Sequence, residues 1–154
     1  MNKKTICFIV VFMMLSLAAL NAQMTKAQLQ EMYVSYLRSE GYQPSVDSDG
    51  DVNFTSQGQR FYIDVMENDL QSFRLVLTNF IEIENASNRL KALETASQIT
   101  NTTRVVRIFL TSSGKIAIDS FIFLAKPDDF KIHLSRLIGL MIGAKNEYNL
   151  KMGR

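Results

Sequence analysis

The chain has 154 residues, 47% of them hydrophobic and 21% charged, with 17 Lys and Arg against 15 Asp and Glu. That is an ordinary globular composition, without low-complexity bias and long enough for one self-sufficient core. Near-balanced charge with no basic run argues against a nucleic-acid partner and against electrostatic docking on a membrane surface.

Met1-Asn2-Lys3-Lys4 opens the chain, an almost unbroken apolar run follows over residues 6–20, and Asn21-Ala22-Gln23 closes it. A basic start, an apolar stretch of about 15 residues and a small residue before the cut describe a secretory signal peptide. Cleavage is expected after Ala22, which removes Lys3 and Lys4 and with them the formal charge of +2. The competing reading is an uncleaved anchor; its length is marginal for spanning, and Ser16 and Asn21 interrupt it. The single cysteine, Cys7, falls inside the leader, so an exported chain would have no disulfide in an oxidising compartment. The expected organisation is a signal peptide over residues 1–22 and one domain over 23–154. Its location would be the periplasm or the cell exterior, with no stable membrane insertion after cleavage.

Thr25-Lys26-Ala27-Gln28 reads as a capping box, with Met24 and Leu29 as the accompanying hydrophobic staple. Leu29, Met32, Tyr33, Tyr36 and Leu37 follow at helical spacing until Gly41. The period then switches to two. Tyr42 and Val46, Val52 and Phe54, then Phe61, Ile63 and Val65, then Phe73, Leu75 and Leu77 mark four short strands. Ser48-Asp49-Gly50, Gln57-Gly58 and the polar residues 67–71 are their turns. The Gln57-Gly58 turn admits two registers, which place opposite sets of side chains in the core. Helical spacing returns over residues 85–100 through Leu90, Leu93, Ala96 and Ile99, with Asn85 or Ser87 as N-cap. Val106, Ile108 and Leu110 form a strand that turns at Ser112-Ser113-Gly114 and returns over residues 116–124. Pro127 opens a last helix, with Phe130, Leu134, Leu137, Met141, Ala144, Tyr148 and Met152 on one face. The order α-β-β-β-β-α-β-β-α predicts an α+β domain with helices layered on an antiparallel sheet.

Asp47, Asp49 and Asp51 imitate the start of a calcium-binding loop. The pattern then fails, because Val52 stands where the glycine is needed and Gly58 where the bidentate glutamate is needed. A three-residue hairpin loop with Gly50 in the left-handed region explains the segment and sets Val46 opposite Val52. The same device at Ser112-Ser113-Gly114 sets Arg107 opposite Asp119, and a similar count about Asp69 sets Asp64 opposite Arg74. Asp64 and Asp119 could be read as an acid/base pair. Cross-strand ion pairs on the polar face of the sheet account for them more simply. His133 stands alone, with no second histidine or thiol to build a metal or nucleophile site. No catalytic, cofactor-binding or metal-binding residues are assigned, and no cofactor is expected. Gly139 and Gly143 weaken a helix interior, so close approach to the sheet or a helix–helix contact between subunits should use the missing side chains.

Gly41-Tyr42, Asp47, Asp49-Gly50-Asp51, Phe54, Gly58 and Phe61-Tyr62-Ile63 together resemble the opening of the YbjN family. The element order and the final amphipathic helix extend the likeness from Thr25 to Met152. The resemblance implies a fold like that of type III secretion chaperones, which form dimers and bind extended partner segments over helix and strand surfaces. It implies no catalytic residues. A leader and the absence of an acidic excess distinguish this chain from those cytoplasmic chaperones. The expected role is therefore an exported, non-enzymatic binding module of the bacterial envelope, chaperone-like or regulatory, and a homodimer. Its partner would be a protein or peptide bound at an apolar helix surface or a sheet edge. The alternative is a small-ligand or ion carrier using the polar sheet face or the turn from Asp47 to Asp51.

Overall fold

A computed structural model describes residues 24–83 and 85–154 of the chain, so the expected leader lies outside the described residues. The first helix, α1 (Lys26–Ser39), starts as its sequence dictates. The Thr25 hydroxyl accepts from the Gln28 amide, and the Gln28 side chain accepts from the Thr25 amide. At the other end Gly41, at φ +85°, lets the Tyr42 amide reach back to the Leu37 carbonyl, which closes the helix.

Four strands follow: β1 (Ser45–Val46), β2 (Val52–Ser56), β3 (Gln59–Asp64) and β4 (Ser72–Glu82). Helix α2 (Ala86–Thr102) leads to β5 (Arg107–Leu110) and β6 (Lys115–Phe123), and a short 3-10 turn (Pro127–Asp129) feeds α3 (Phe130–Met152). All pairings are antiparallel, in the spatial order β1-β2-β3-β4-β6-β5. After β4 the chain crosses through α2 to the far edge as β5, and β6 returns to fill the gap between β5 and β4. Val46 stands opposite Val52, Asp64 opposite Arg74 and Arg107 opposite Asp119, as the turn chemistry predicts.

The ambiguous hairpin resolves as a two-residue turn between Ser56 and Gln59, with Gln57 and Gly58 both at positive φ. That register turns Val52, Phe54, Phe61 and Ile63 inward, where they meet Phe73, Leu75, Leu77, Ile108, Ile116 and Ile118 in one buried cluster. All three helices place their buried side chains in this same cluster. Phe130 sits at its centre, with ring centroids 4.8 Å from Tyr33, 5.1 Å from Tyr36 and 5.5 Å from Phe73. Burying each such side chain contributes about 1.5–3 kcal/mol. The last helix buries the predicted face from Phe130 to Tyr148, with Met152 half-buried. Helix α2 differs from expectation: Ala92, Thr95, Ala96 and Ile99 are buried, whereas Leu90 and Leu93 are exposed. Two alanines and a threonine let this helix lie close to its neighbours. The leucines that dominate its hydropathy point the other way.

Candidate functional site

The face of the sheet turned away from the helices carries the predicted charge pairs, joined into one network. Asp119, 2% exposed, accepts from Arg74 Nε (3.0 Å) and Nη2 (2.8 Å) and from Arg107 Nε (2.9 Å) and Nη2 (2.6 Å). Arg74 Nη1 reaches Asp64 Oδ2 at 3.3 Å, and the Arg107 guanidinium lies 4.8 Å from the centre of the Phe109 ring. Separate pairs were legible from hairpin arithmetic, but the bridge was not. It needs β6 to lie beside β4, which places Asp119 opposite Val76 and next to Arg74. Burial pushes the Arg74 guanidinium down, and the hydrogen bond and charge of Asp119, with the Asp64 hydrogen bond and Tyr62, together raise it above its ordinary value. The Asp119 hydrogen bond holds Arg107 above its ordinary value as well. Guanidinium groups so held donate hydrogen bonds and do not move protons. The arrangement fixes four strands in register.

The turn from Asp47 to Asp51 spends its oxygens on itself. Asp47 Oδ1 accepts from the amides of Asp49, Gly50 and Asp51 at 3.0–3.1 Å, and Oδ2 accepts from Asn53 at 2.7 Å. The Asn53 hydrogen bond, with those amides, lowers the Asp47 pKa. Asp51 Oδ1 accepts from the Val65 amide, and burial raises its pKa. Lys26 and Gln30 dock the turn on α1 through the carbonyls of Asp49 and Gly50. A Cβ on Gly50 would stand 2.7 Å from the Lys26 side chain. Among the described residues, no three His, Cys, Asp or Glu side chains converge on a point that could hold a metal ion.

The two glycines of α3 do not approach the sheet. A Cβ at Gly139 or Gly143 would meet nothing within 4 Å, and both residues are exposed. This corrects the expectation of close packing. The glycines lie instead on the outer side of the helix, in one line with exposed Ile132 and Leu150, within about 40° of arc at helical spacing.

A concave surface forms where β5 stops short of β6. The last β5–β6 pair is Arg107 with Asp119, whereas β6 continues alongside β4 to Phe123 opposite Ser72. Residues 120–123 therefore have a strand neighbour on one side only. Beside this free edge lies a groove of about 700 Å³, with an apolar lining of Val105, Ile122, Phe123, Leu137 and Leu140. Arg104, His133 and Arg136 edge it. A second cavity of about 450 Å³ shares Thr103 and Val105 with it and runs on to Arg107, Asp119 and Phe121. Val105 lines both. It is 52% exposed and adopts φ +58°, a conformation that costs a β-branched residue about 1–2 kcal/mol. Phe121 and Phe123 are 45% and 78% exposed, with their rings edge to face at 5.5 Å. At the outer edge of β5, by contrast, the Ile108 amide is taken by Thr100 Oγ1 at 3.0 Å.

Sequence reading placed Phe121, Phe123 and His133 on their elements without joining them. Strand-length mismatch makes this site, and alternation alone does not fix where a strand ends. The overhang of β6 could have been suspected from its length, since residues 116–124 outnumber the apolar run that begins at Val106.

Comparison with known families bears on this geometry. A profile of the YbjN family, described as "Putative bacterial sensory transduction regulator", matches residues 16–132. The chain belongs to the YbjN family. The match takes in the whole sheet, α1, α2 and the free edge of β6, and stops at the start of α3. The YbjN description names a regulatory role and no reaction. Searches of curated proteins and of solved structures return no match. Among the described residues, no helix of this YbjN domain is long and apolar enough to cross a membrane.

Proposed function

We propose that this YbjN domain is an exported, non-enzymatic binding module that takes up an extended partner segment at the free edge of β6. One observation carries the reading. Residues 121–123 offer an unpaired strand edge between exposed Phe121, Phe123 and Val105 and an apolar groove. An incoming strand would gain backbone hydrogen bonds along the edge and apolar contacts on both sides, the economy of β-strand addition. An exposed edge is a hazard for a protein unless it is covered in use. At the two outer edges of the sheet, β1 has two residues and Thr100 Oγ1 occupies the Ile108 amide of β5.

Export rests on the leader-like residues 1–22, and a non-enzymatic role on carboxylates engaged by arginines and turn amides. We propose further that two copies associate through the outer face of α3. Gly139 and Gly143 open a shallow furrow there between Ile132 and Leu150, and helix backbones can approach closely over such a furrow.

The test substitutes Phe121→Ser with Phe123→Ser in the full chain and crosslinks it in its native envelope. Both side chains are exposed, so the thermal midpoint should stay within a few degrees of the parent's. The crosslinked partner should disappear. Undiminished capture by the folded double variant would refute the site.

A further inference from the structure

The charge around the groove says what kind of segment fits it. Arg104, His133 and Arg136 edge the groove, and no Asp or Glu lines it. Among the described residues none of the three forms an ion pair, although six other ion pairs hold arginines and lysines elsewhere. Arg104 comes from the α2–β5 connection and Arg136 from α3, so two separate elements each contribute an arginine to the lining of one apolar trough.

Resting on the reading of the β6 edge as a binding site, we infer that its partner is an extended apolar peptide carrying carboxylate side chains, which Arg104 and Arg136 engage. Three features argue for a peptide over other occupants. The unpaired edge supplies backbone donors and acceptors that an aliphatic tail cannot use. The two cavities together follow that edge from Asp119 to Phe123, as a strand would. The chain's own leader is a poor occupant, because Lys3 and Lys4 would meet Arg104 and Arg136 with like charge. Carboxylates suit planar guanidinium donors, which bind them in a two-pronged manner. The left-handed turn at Val105 sets Arg104 on the groove while the chain enters β5, so the strain there belongs to the site.

The experiment uses the full-length chain and three fluorescein-labelled eight-residue peptides: one alternating valine with glutamate, one alternating valine with lysine, and the glutamate peptide N-methylated along one edge. Fluorescence anisotropy should show the glutamate peptide binding at least about tenfold more tightly than the lysine peptide, the scale of a charge-assisted hydrogen bond. N-methylation should abolish binding. The double variant Arg104→Gln with Arg136→Gln should erase the discrimination while its thermal midpoint holds, since neither arginine is part of an ion pair in the fold. Equal binding of the glutamate and lysine peptides would overturn the acidic preference and leave the edge reading standing. Failure of every peptide, with palmitate bound instead, would overturn the peptide in favour of a lipid carboxylate. Failure of every peptide and of palmitate would overturn both this inference and the edge reading.

Discussion

Asp119 is the residue on which the outer sheet face depends. It is buried, and four guanidinium hydrogen bonds compensate the cost of taking its charge out of water. Asp119→Ala would leave Arg74 three-quarters buried with Asp64 alone, and should destabilise the domain by about 3–5 kcal/mol in urea unfolding. Arg107→Ala should cost about 1 kcal/mol, because that side chain is well exposed. Reversal of that order would show that Arg107 on β5, and not Asp119 on β6, holds the network together. Asp51 makes a contrasting case. Burial raises its pKa, with the Asp64 and Asp47 charges adding and the Val65 hydrogen bond opposing. A raised folded value means that the folded state prefers the proton. The penalty is therefore fully present above that value and vanishes once the pH falls below the unfolded value. Asp51→Asn keeps an oxygen for the Val65 amide, so it should be more stable than the parent at about pH 7 and equal to it near about pH 3. An advantage that persists unchanged at the acid end would show that the charge is not its source.

At the scale of elements, local chemistry was the most legible part of the sequence. The Thr25–Gln28 capping box, the Gly41 stop and the loops closed by Gly50 and Gly114 depend on neighbours within a few residues, and all stand where predicted. Features that depend on distant neighbours were less so. The helical period of α2 was right, but its buried stripe is shifted onto small residues, because packing distance and not hydropathy chose the face. Of the two uses expected for the glycines of α3, close approach to the sheet is excluded, because they lie on the outer side. The same long-range dependence hid the Arg74 bridge and the free edge of β6, since both arise from β6 slipping between β5 and β4. Gln57 shows a local preference overruled. It holds φ +49° in a two-residue turn because the strands on either side must bury their phenylalanines. Gln57→Gly should therefore stabilise the domain by about 1 kcal/mol in a urea titration. No gain would mean that the turn relaxes elsewhere. For α3, light scattering of the full chain should give the mass of two copies. Gly139→Leu with Gly143→Leu should give one, because two bulky side chains fill the furrow without meeting anything inside the fold. A mass unchanged by the leucines would remove α3 from the interface.

Across the whole molecule the two sides of the sheet divide the work. One side takes three helices and holds the fold together. The other is knit by a charge network and ends in an aromatic, groove-flanked edge. The domain therefore presents an unpaired strand edge beside exposed Phe121 and Phe123, and that coincidence is the centre of the binding account. It is tested most directly by placing a photo-crosslinking amino acid at position 123 or, as a control that is also apolar and exposed, at position 90 on α2, in the full chain within its native envelope. The account predicts a discrete adduct from position 123, reduced by excess glutamate-containing peptide, and none from position 90. Adducts of equal yield from both positions, or from position 90 alone, would contradict it.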